Sequence, residues 1–169
     1  MILFRIASVP LALLSLVLVL VTLVSDNWVN INEREGSHCG LWRACFLQSC
    51  IMYTAGVPGF FHTTRSFLIL ASLAGCFSFF VLIASLFCSH VRSVSLVMAS
   101  TMGSFSAGLG TMTGMAVFTS ACSPDSMPAA LTYTWSYSWS YGLGWLSFFL
   151  FLGTGAVTLL AQRSSYSPL

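Results

Sequence analysis

The sequence predicts an all-α membrane protein, a four-transmembrane-helix bundle that carries a small extracellular β-sheet built from its first loop. Three observations predict it: 57% of residues are hydrophobic, only 6% are charged, and four long apolar runs are separated by polar loops. Soluble domains carry about 25% charged residues. A protein with so few charged residues could not cover its whole surface with groups that water solvates. We therefore expect part of the surface to face lipid. The net charge of +2 is too small to indicate a basic surface for binding nucleic acid.

The four apolar runs cover residues 6–24, 66–87, 95–118 and 141–161. Each is long enough to cross the hydrocarbon core, which takes about 20 helical residues. Helix is required because backbone polar groups find no water in lipid. We expect one membrane domain over residues 1–169, with loops at 25–65 and 119–140. The alternative for the first run, a cleaved signal peptide, is disfavoured by its length and by the lack of an A-x-A-like site before Asp26.

Orientation rests on cysteines, because three arginines fall on each side of the membrane and the positive-inside rule is therefore undecided. Four cysteines lie on one side: Cys39, Cys45, Cys50 and Cys122. Their clustering indicates an oxidising compartment. We expect both loops outside the cell or in an organelle lumen, and both termini in the cytosol.

The first loop predicts short strands at residues 28–32, 40–45 and 50–53. Cys45 and Cys50 flank a four-residue hairpin loop, a spacing that can place them directly opposite each other. The separation in such a pair suits a disulfide. The bond would contribute about 2 kcal/mol to the free energy of unfolding, because it lowers the conformational entropy of the unfolded chain. The alternative is two neighbouring free thiols. Trp28 and Trp42 are expected at the lipid headgroups as anchors, or else one of them contacts a partner protein.

The first loop carries a family resemblance. Trp28, Gly40-Leu41-Trp42, Cys45 and Cys50 resemble the W…GLW…C…C pattern of the claudin superfamily, which includes the peripheral myelin protein, the epithelial membrane proteins and the lens fibre intrinsic membrane protein. The stretch 64–70, with Arg65, resembles the start of the second span in the lens and epithelial members. Residues 143–147 and 154–156 resemble the natural killer cell granule protein.

The resemblance implies a left-handed four-helix bundle capped by an extracellular sheet, a Cys45–Cys50 bridge, and a role in adhesion, junctions, membrane organisation or vesicle traffic. The first loop is shorter than in pore-forming claudins, and few residues follow the last span. These departures favour the short myelin, lens or granule branch over a former of tight-junction strands.

The remaining cysteines have open roles. Cys39 and Cys122 are candidates for a second bridge between the two external loops, the alternative being free or intermolecular thiols. Cys76 is expected to be a small core residue of the second span. Cys88, at the cytosolic end of that span, is a candidate for palmitoylation, with an unmodified cysteine as the alternative.

The third span predicts close helix packing. Small residues recur at every fourth position in two adjacent rows, which include Gly103, Ala107, Gly110 and Gly114. Such faces let membrane helices approach closely. We expect packing inside the monomer rather than a dimer interface.

Catalytic motifs are absent from the sequence, and no acid or base lies within a span. We therefore expect that the protein is not an enzyme and binds no cofactor or metal ion. Arg65, at the outer mouth of the second span, is expected to anchor the helix end or to pair with an external acid. A channel auxiliary subunit is the weakest interpretation, because the spans are expected to offer no polar lining.

The tail offers two ligand patterns. Residues 166–169, from Tyr166 to Leu169, fit a Y-x-x-Φ sorting peptide for a trafficking adaptor, and the carboxyl end also fits a PDZ ligand. The alternative is a short disordered tail.

The function predicted from these observations is membrane organisation, adhesion or junction formation through the external loop. Its candidate contact residues are Phe46, Leu47, Ile51 and Met52. The alternatives are regulation of vesicle or granule traffic and a channel auxiliary subunit. The predicted partners are the lipid bilayer and other membrane proteins, including a second copy. The predicted cellular location is the plasma membrane, with a lysosomal or granule membrane as the alternative.

Overall fold

The structure is a computed structural model that describes residues 2–31, 37–46, 49–53, 56–88, 90–91, 94–122 and 135–166. Side chains are described over the same ranges except at 2–5, 90–91, 94, 135 and 164–166. The elements in chain order are α1 (Ile2–Val24), β1 (Val29–Ile31), β2 (His38–Cys39), β3 (Arg43–Phe46), β4 (Ser49–Met52), α2 (Gly59–Phe87), β5 (His90–Val91), β6 (Val94–Ser95), α3 (Leu96–Ala121), β7 (Trp135–Tyr137) and α4 (Trp139–Tyr166).

The four helices confirm the predicted four-helix membrane fold. Segments of three of them, Ile6–Val24, Gly59–Phe87 and Trp139–Arg163, are long and apolar enough to cross a bilayer. Helix α3 is 26 residues long and uncharged, and its many Gly, Ser and Thr residues make it less hydrophobic. It packs against both α2 and α4, while α1 packs against the same two helices.

Helix α2 begins earlier than predicted, at Gly59 rather than residue 66. Pro58 directly precedes the first turn of α2. Proline is tolerated there because the first N–H groups of a helix have no hydrogen-bond partner within the helix. The extra turns are held by packing, since the rings of Phe60 and Phe61 contact Phe118 of α3 at 6.2 and 6.0 Å. Arg65 therefore lies within α2 and not in the loop. Helix α4 likewise continues to Tyr166, beyond the predicted end at 161.

The sheet has five antiparallel strands in the order β4-β3-β2-β1-β7. The prediction of three strands from the first loop was incomplete, because the described part of that loop forms four and β2 was not predicted. A further strand, β7, comes from the second loop and pairs with β1, Val29 opposite Tyr137. Strand β7 satisfies backbone groups on the edge of β1 that would otherwise lack partners. A separate two-stranded ribbon, β5–β6, connects α2 to α3.

The interior of the bundle is rich in hydroxyl groups, so the expectation of spans without a polar lining was wrong. Ser78 on α2 lies 2.7 Å from the Ser104 hydroxyl on α3 and donates to the carbonyl of Ser100 at 2.7 Å. Thr101 donates to Thr158 across α3 and α4 at 2.9 Å. These hydroxyls bond to protein groups on neighbouring helices and thereby join the helices.

Three glycines of α3 face α2: Gly103, Gly110 and Gly114. A Cβ on Gly103 would lie 3.0 Å from the Cβ of Ser78, and one on Gly110 would lie 3.3 Å from that of Ala71. Ala107, between them, is fully buried. The structure thus places the small residues at a helix interface inside the monomer.

Candidate functional site

Two tryptophans of the first loop bond to the end of α1. The indole Nε1 of Trp28 donates to the carbonyl of Thr22 at 2.8 Å, and that of Trp42 donates to the carbonyl of Leu23 at 2.8 Å. The last carbonyls of a helix have no partner within it. The two indoles therefore cap α1 and hold the loop to it.

Trp28 lies between the sheet and the bundle. Its backbone N–H donates to the carbonyl of Cys39 in β2 at 3.0 Å, and its ring meets that of Phe118 edge-on at 4.7 Å. The residue has 0% exposure, so the prediction that it faces lipid headgroups was wrong. Buried aromatic pairs of this geometry add about 0.5–1.5 kcal/mol beyond their area. Trp28 thus packs β2 onto α3.

Arg65 reaches from α2 to the first loop. Its Nε donates to the carbonyl of Leu41 at 2.8 Å, and its Nη2 donates to the same oxygen. The guanidinium carbon lies 4.7 Å from the centroid of the Trp42 ring and 5.7 Å from that of Tyr53. Within the described part of the chain no carboxylate forms an ion pair with it. Arg65 therefore binds a loop carbonyl between aromatic rings and is only 8% exposed.

Gly40 allows the loop to approach the end of α1. A Cβ at this position would lie 2.6 Å from the carbonyl oxygen of Ser25 and would also overlap the backbone of Asp26. Backbone atoms cannot move aside as a flexible side chain can. Only glycine therefore fits here.

We call one set of five residues the sheet anchor, because together they hold the sheet on the bundle: Trp28, Gly40, Leu41, Trp42 and Arg65. Its hydrogen bonds involve α1 and α2, and the ring of Trp28 packs on α3. The arrangement fixes the position of the strands that follow it.

The Cys45–Cys50 disulfide is present, as predicted. The two residues are directly opposite each other in the β3–β4 register, with 4.0 Å between their Cα atoms. The bond closes the hairpin and resists a slip in pairing, which would turn every side chain to the other face.

The hairpin exposes large apolar side chains. Phe46, Ile51 and Met52 are 48%, 64% and 63% exposed. Strand β4 is an edge of the sheet, and all four of its residues are exposed. Ile51 lies opposite Ala44, so Ile51 and Phe46 share one face of the hairpin, whereas Met52, opposite Arg43, lies on the other face. We call these three residues the hairpin patch. Leu47, the other candidate contact, lies outside the described residues.

Two residues near the anchor were missed by the sequence analysis. Asp26 binds the exposed Arg43, with 2.5 Å between Oδ2 and Nη2. The hydroxyl of Tyr53 donates to the carbonyl of Gly40 at 3.4 Å, and burial, more than any charge, raises its pKa to about 12. Tyr53 ends the third predicted strand, so its side-chain contact depends on the tertiary fold and carries no local signal.

The other candidate residues lie apart from this site. Cys88 is an exposed free thiol just past α2, and Cys76 is a half-buried free thiol within it. Tyr166 is the last residue of α4, whereas Leu169 lies outside the described residues. In the described ranges, no three His, Cys, Asp or Glu side chains come close enough to hold a metal ion.

The fold and the sheet anchor together define a four-helix membrane protein with a strand-forming first loop clamped onto its helices. The chain belongs to the PMP-22/EMP/MP20/Claudin family, whose model matches residues 1–158. Protein NKG7 of Mus musculus is 35% identical over 158 residues, which cover 89% of this chain and 88% of that protein. The Homo sapiens protein is 32% identical over 158 residues, covering 92% and 89%. That of Bos taurus is 34% identical over 165 residues, covering 94% and 93%.

Proposed function

We propose that this chain organises membranes by contacting other membrane proteins through the hairpin patch. The observation that carries the proposal is the exposure of Phe46, Ile51 and Met52 on a sheet that stands beyond the membrane-spanning windows. All three belong to the sheet and lie outside the helical segments that are long and apolar enough to span a membrane, so a position within a span does not explain their exposure. Exposed apolar surface of this kind is typical of protein interaction sites.

The position of β4 supports the same surface. An edge strand presents unpaired N–H and C=O groups to any strand that approaches it. Strand β4 carries no charged residue and no proline that would block such pairing. Because the sheet anchor and the disulfide hold the hairpin in place, little ordering entropy is lost when a partner binds.

The proposal includes an orientation. The disulfide supports an oxidising environment on the sheet side, so the sheet lies outside the cell or in an organelle lumen and the termini are cytosolic.

The first experiment tests contact formation in epithelial cells. A fluorescent fusion of the parent chain is expected to concentrate at cell–cell borders. The triple variant Phe46→Ser, Ile51→Ser, Met52→Ser is expected to reach the surface at the same level without that enrichment. The control is His62→Ser, which alters an exposed residue near the start of α2. Equal enrichment of the triple variant, or a parent chain that never reaches the surface, would contradict the adhesive role.

A second candidate function is sorting to a granule or lysosomal membrane. It is supported by the match to NKG7 over about nine-tenths of the chain, which suggests a granule-related role. The Y-x-x-Φ pattern at residues 166–169 supplies a sorting peptide. Adaptors bind such peptides as extended segments, so α4 must end at or before Tyr166 in the bound state.

Three tail variants separate the two tail ligands. Tyr166→Ala removes adaptor recognition alone, one glycine added after Leu169 removes PDZ recognition alone, and Leu169→Ala removes both. Sorting by an adaptor predicts that Tyr166→Ala and Leu169→Ala move the chain to the plasma membrane. If Tyr166→Ala remains in the parent's organelle, the sorting role is wrong.

A further inference from the structure

Cys39 and Cys122 share one buried region under the sheet. Cys39 pairs with Val29 across β2 and β1, and residues opposite each other in a sheet point to the same face. Val29 is buried in the hydrophobic cluster that also contains Cys122, and Cys39 packs against that cluster. Both thiols therefore face the space between the sheet and the end of α3.

Trp28 joins the backbones that carry the two thiols. Its backbone N–H donates to the carbonyl of Cys39 at 3.0 Å, and the centroid of its ring lies 4.7 Å from that of Phe118. The carbonyl of Phe118 accepts the N–H of Cys122 at 3.0 Å, which places Cys122 one turn above that ring. Trp28 thus links β2, through its backbone, to the end of α3, through its ring.

The pKa of each thiol reflects its burial, and that of Cys122 also reflects the neighbouring Cys39. Burial raises the pKa of the Cys39 thiol to about 11. Burial likewise raises the pKa of the Cys122 thiol to about 11, and the neighbouring Cys39 adds to that rise. The structure describes both as free thiols, beside an intact Cys45–Cys50 bond.

We propose that Cys39 and Cys122 form a second disulfide when the chain folds in an oxidising compartment. The oxidant is the disulfide of a dithiol–disulfide oxidoreductase. The Cys39 thiol gives its proton to water, and the resulting thiolate attacks one sulfur of that disulfide and releases the other, which takes up a proton as a thiol. The Cys122 thiolate then attacks the Cys39 sulfur and releases the second carrier thiol, so two thiols are oxidised and one disulfide is reduced to a dithiol.

The burial of the pair sets the order of events. Only the thiolate is the nucleophile, and a thiol with a raised pKa supplies little of it near neutral pH. The exchange must therefore take place before the sheet docks on the bundle. Once formed, the bond is shielded from reductants by the sheet.

The bond would differ in kind from the Cys45–Cys50 bridge. That bridge joins neighbours within one hairpin, at a sequence separation of 5. A Cys39–Cys122 bond joins the first loop to the end of α3 and fixes the whole sheet to the bundle. It would add to the sheet anchor, which already holds the sheet on the bundle while both thiols are free.

Peptide mapping of the full chain tests the proposal. Membranes from expressing cells are denatured in acid, alkylated with N-ethylmaleimide without reductant, and digested for mass spectrometry. The expected product is a linked peptide pair containing Cys39 and Cys122, with Cys76 alkylated as the internal control for a free thiol. Maleimide adducts on both cysteines, or bonds from either to another chain, would overturn the proposal.

Graded reduction of the folded protein adds a readout of burial. Cys50 is exposed, so a phosphine reductant is expected to open the Cys45–Cys50 bond first and the Cys39–Cys122 bond only on unfolding. A Cys39→Ser variant is expected to leave Cys122 alkylated and Cys45–Cys50 intact. Reduction of both bonds at the same reductant concentration would show that the second bond is not under the sheet.

Discussion

The substitution Trp28→Phe tests the sheet anchor at its most buried residue. Phenylalanine keeps an aromatic ring against Phe118 but loses the indole N–H that donates to the carbonyl of Thr22. That carbonyl lies at the end of α1, where no residue of the helix can replace the lost donor. The variant therefore leaves a buried acceptor without a partner.

The magnitude follows from two losses. An unsatisfied buried acceptor costs about 1–3 kcal/mol. The smaller ring adds a cavity term, which stays below the ~3–5 kcal/mol measured when a large aromatic is cut to alanine. We expect Trp28→Phe to lower the free energy of unfolding by about 2–4 kcal/mol.

The assay is unfolding of the purified chain in detergent micelles, followed by near-UV circular dichroism during a denaturant titration. The matched control is Trp139→Phe, because Trp139 at the start of α4 is 55% exposed. An exposed substitution of this kind changes stability by less than about 0.5 kcal/mol. Equal unfolding midpoints for the two variants would refute the assigned role of Trp28.

Four further outcomes are expected, from the same unfolding assay unless another measurement is named. Gly40→Ala lowers stability by at least ~1–3 kcal/mol because its Cβ meets fixed backbone, whereas Gly142→Ala, with open space around it, does not; equal effects would contradict the close approach. Arg65→Lys costs about 1.5–3 kcal/mol because an ammonium cannot reproduce both bonds to the loop carbonyl, and parental stability would exclude this role. Gly110→Leu reduces the folded yield, measured by size exclusion, and an unchanged yield would place this residue outside the helix interface. Stability falls as the pH rises from 10 towards 12, because folded Tyr53, with its pKa raised to about 12, keeps a proton that the unfolded chain releases; an identical pH profile for Tyr53→Phe would contradict this.

The helices could be predicted from the sequence because lipid demands long charge-free runs, and each run carries that signal by itself. Their ends could not be predicted. Phe60 and Phe61 extend α2 by packing on a ring of α3, a contact between residues distant in sequence. Propensity at a helix end is weak beside such packing.

The hairpin and its disulfide were predicted because the spacing of Cys45 and Cys50 is a local feature. Strand β7 was missed, since its partner β1 lies across two spans in the chain. Its signal was the alternation of aromatic and serine residues at 135–139, which has the period of a strand.

The family resemblance identified the members of the sheet anchor without their roles. The acceptors of the two indoles are backbone carbonyls at the end of α1, and side-chain patterns do not reveal which carbonyls a helix end leaves free. The hydroxyls of the bundle were misjudged because hydropathy averages over a span and hides which face each serine occupies.

The central claim is that the hairpin patch touches another membrane protein while the sheet anchor holds it in place. Site-specific photo-crosslinking tests it most directly, with benzoylphenylalanine introduced in place of Ile51 or, as the control, His62 in intact cells. We predict an adduct of defined mass from position 51 and none from position 62. Position 51 yielding only the uncrosslinked chain, in cells where the protein is folded and correctly sorted, would contradict the account.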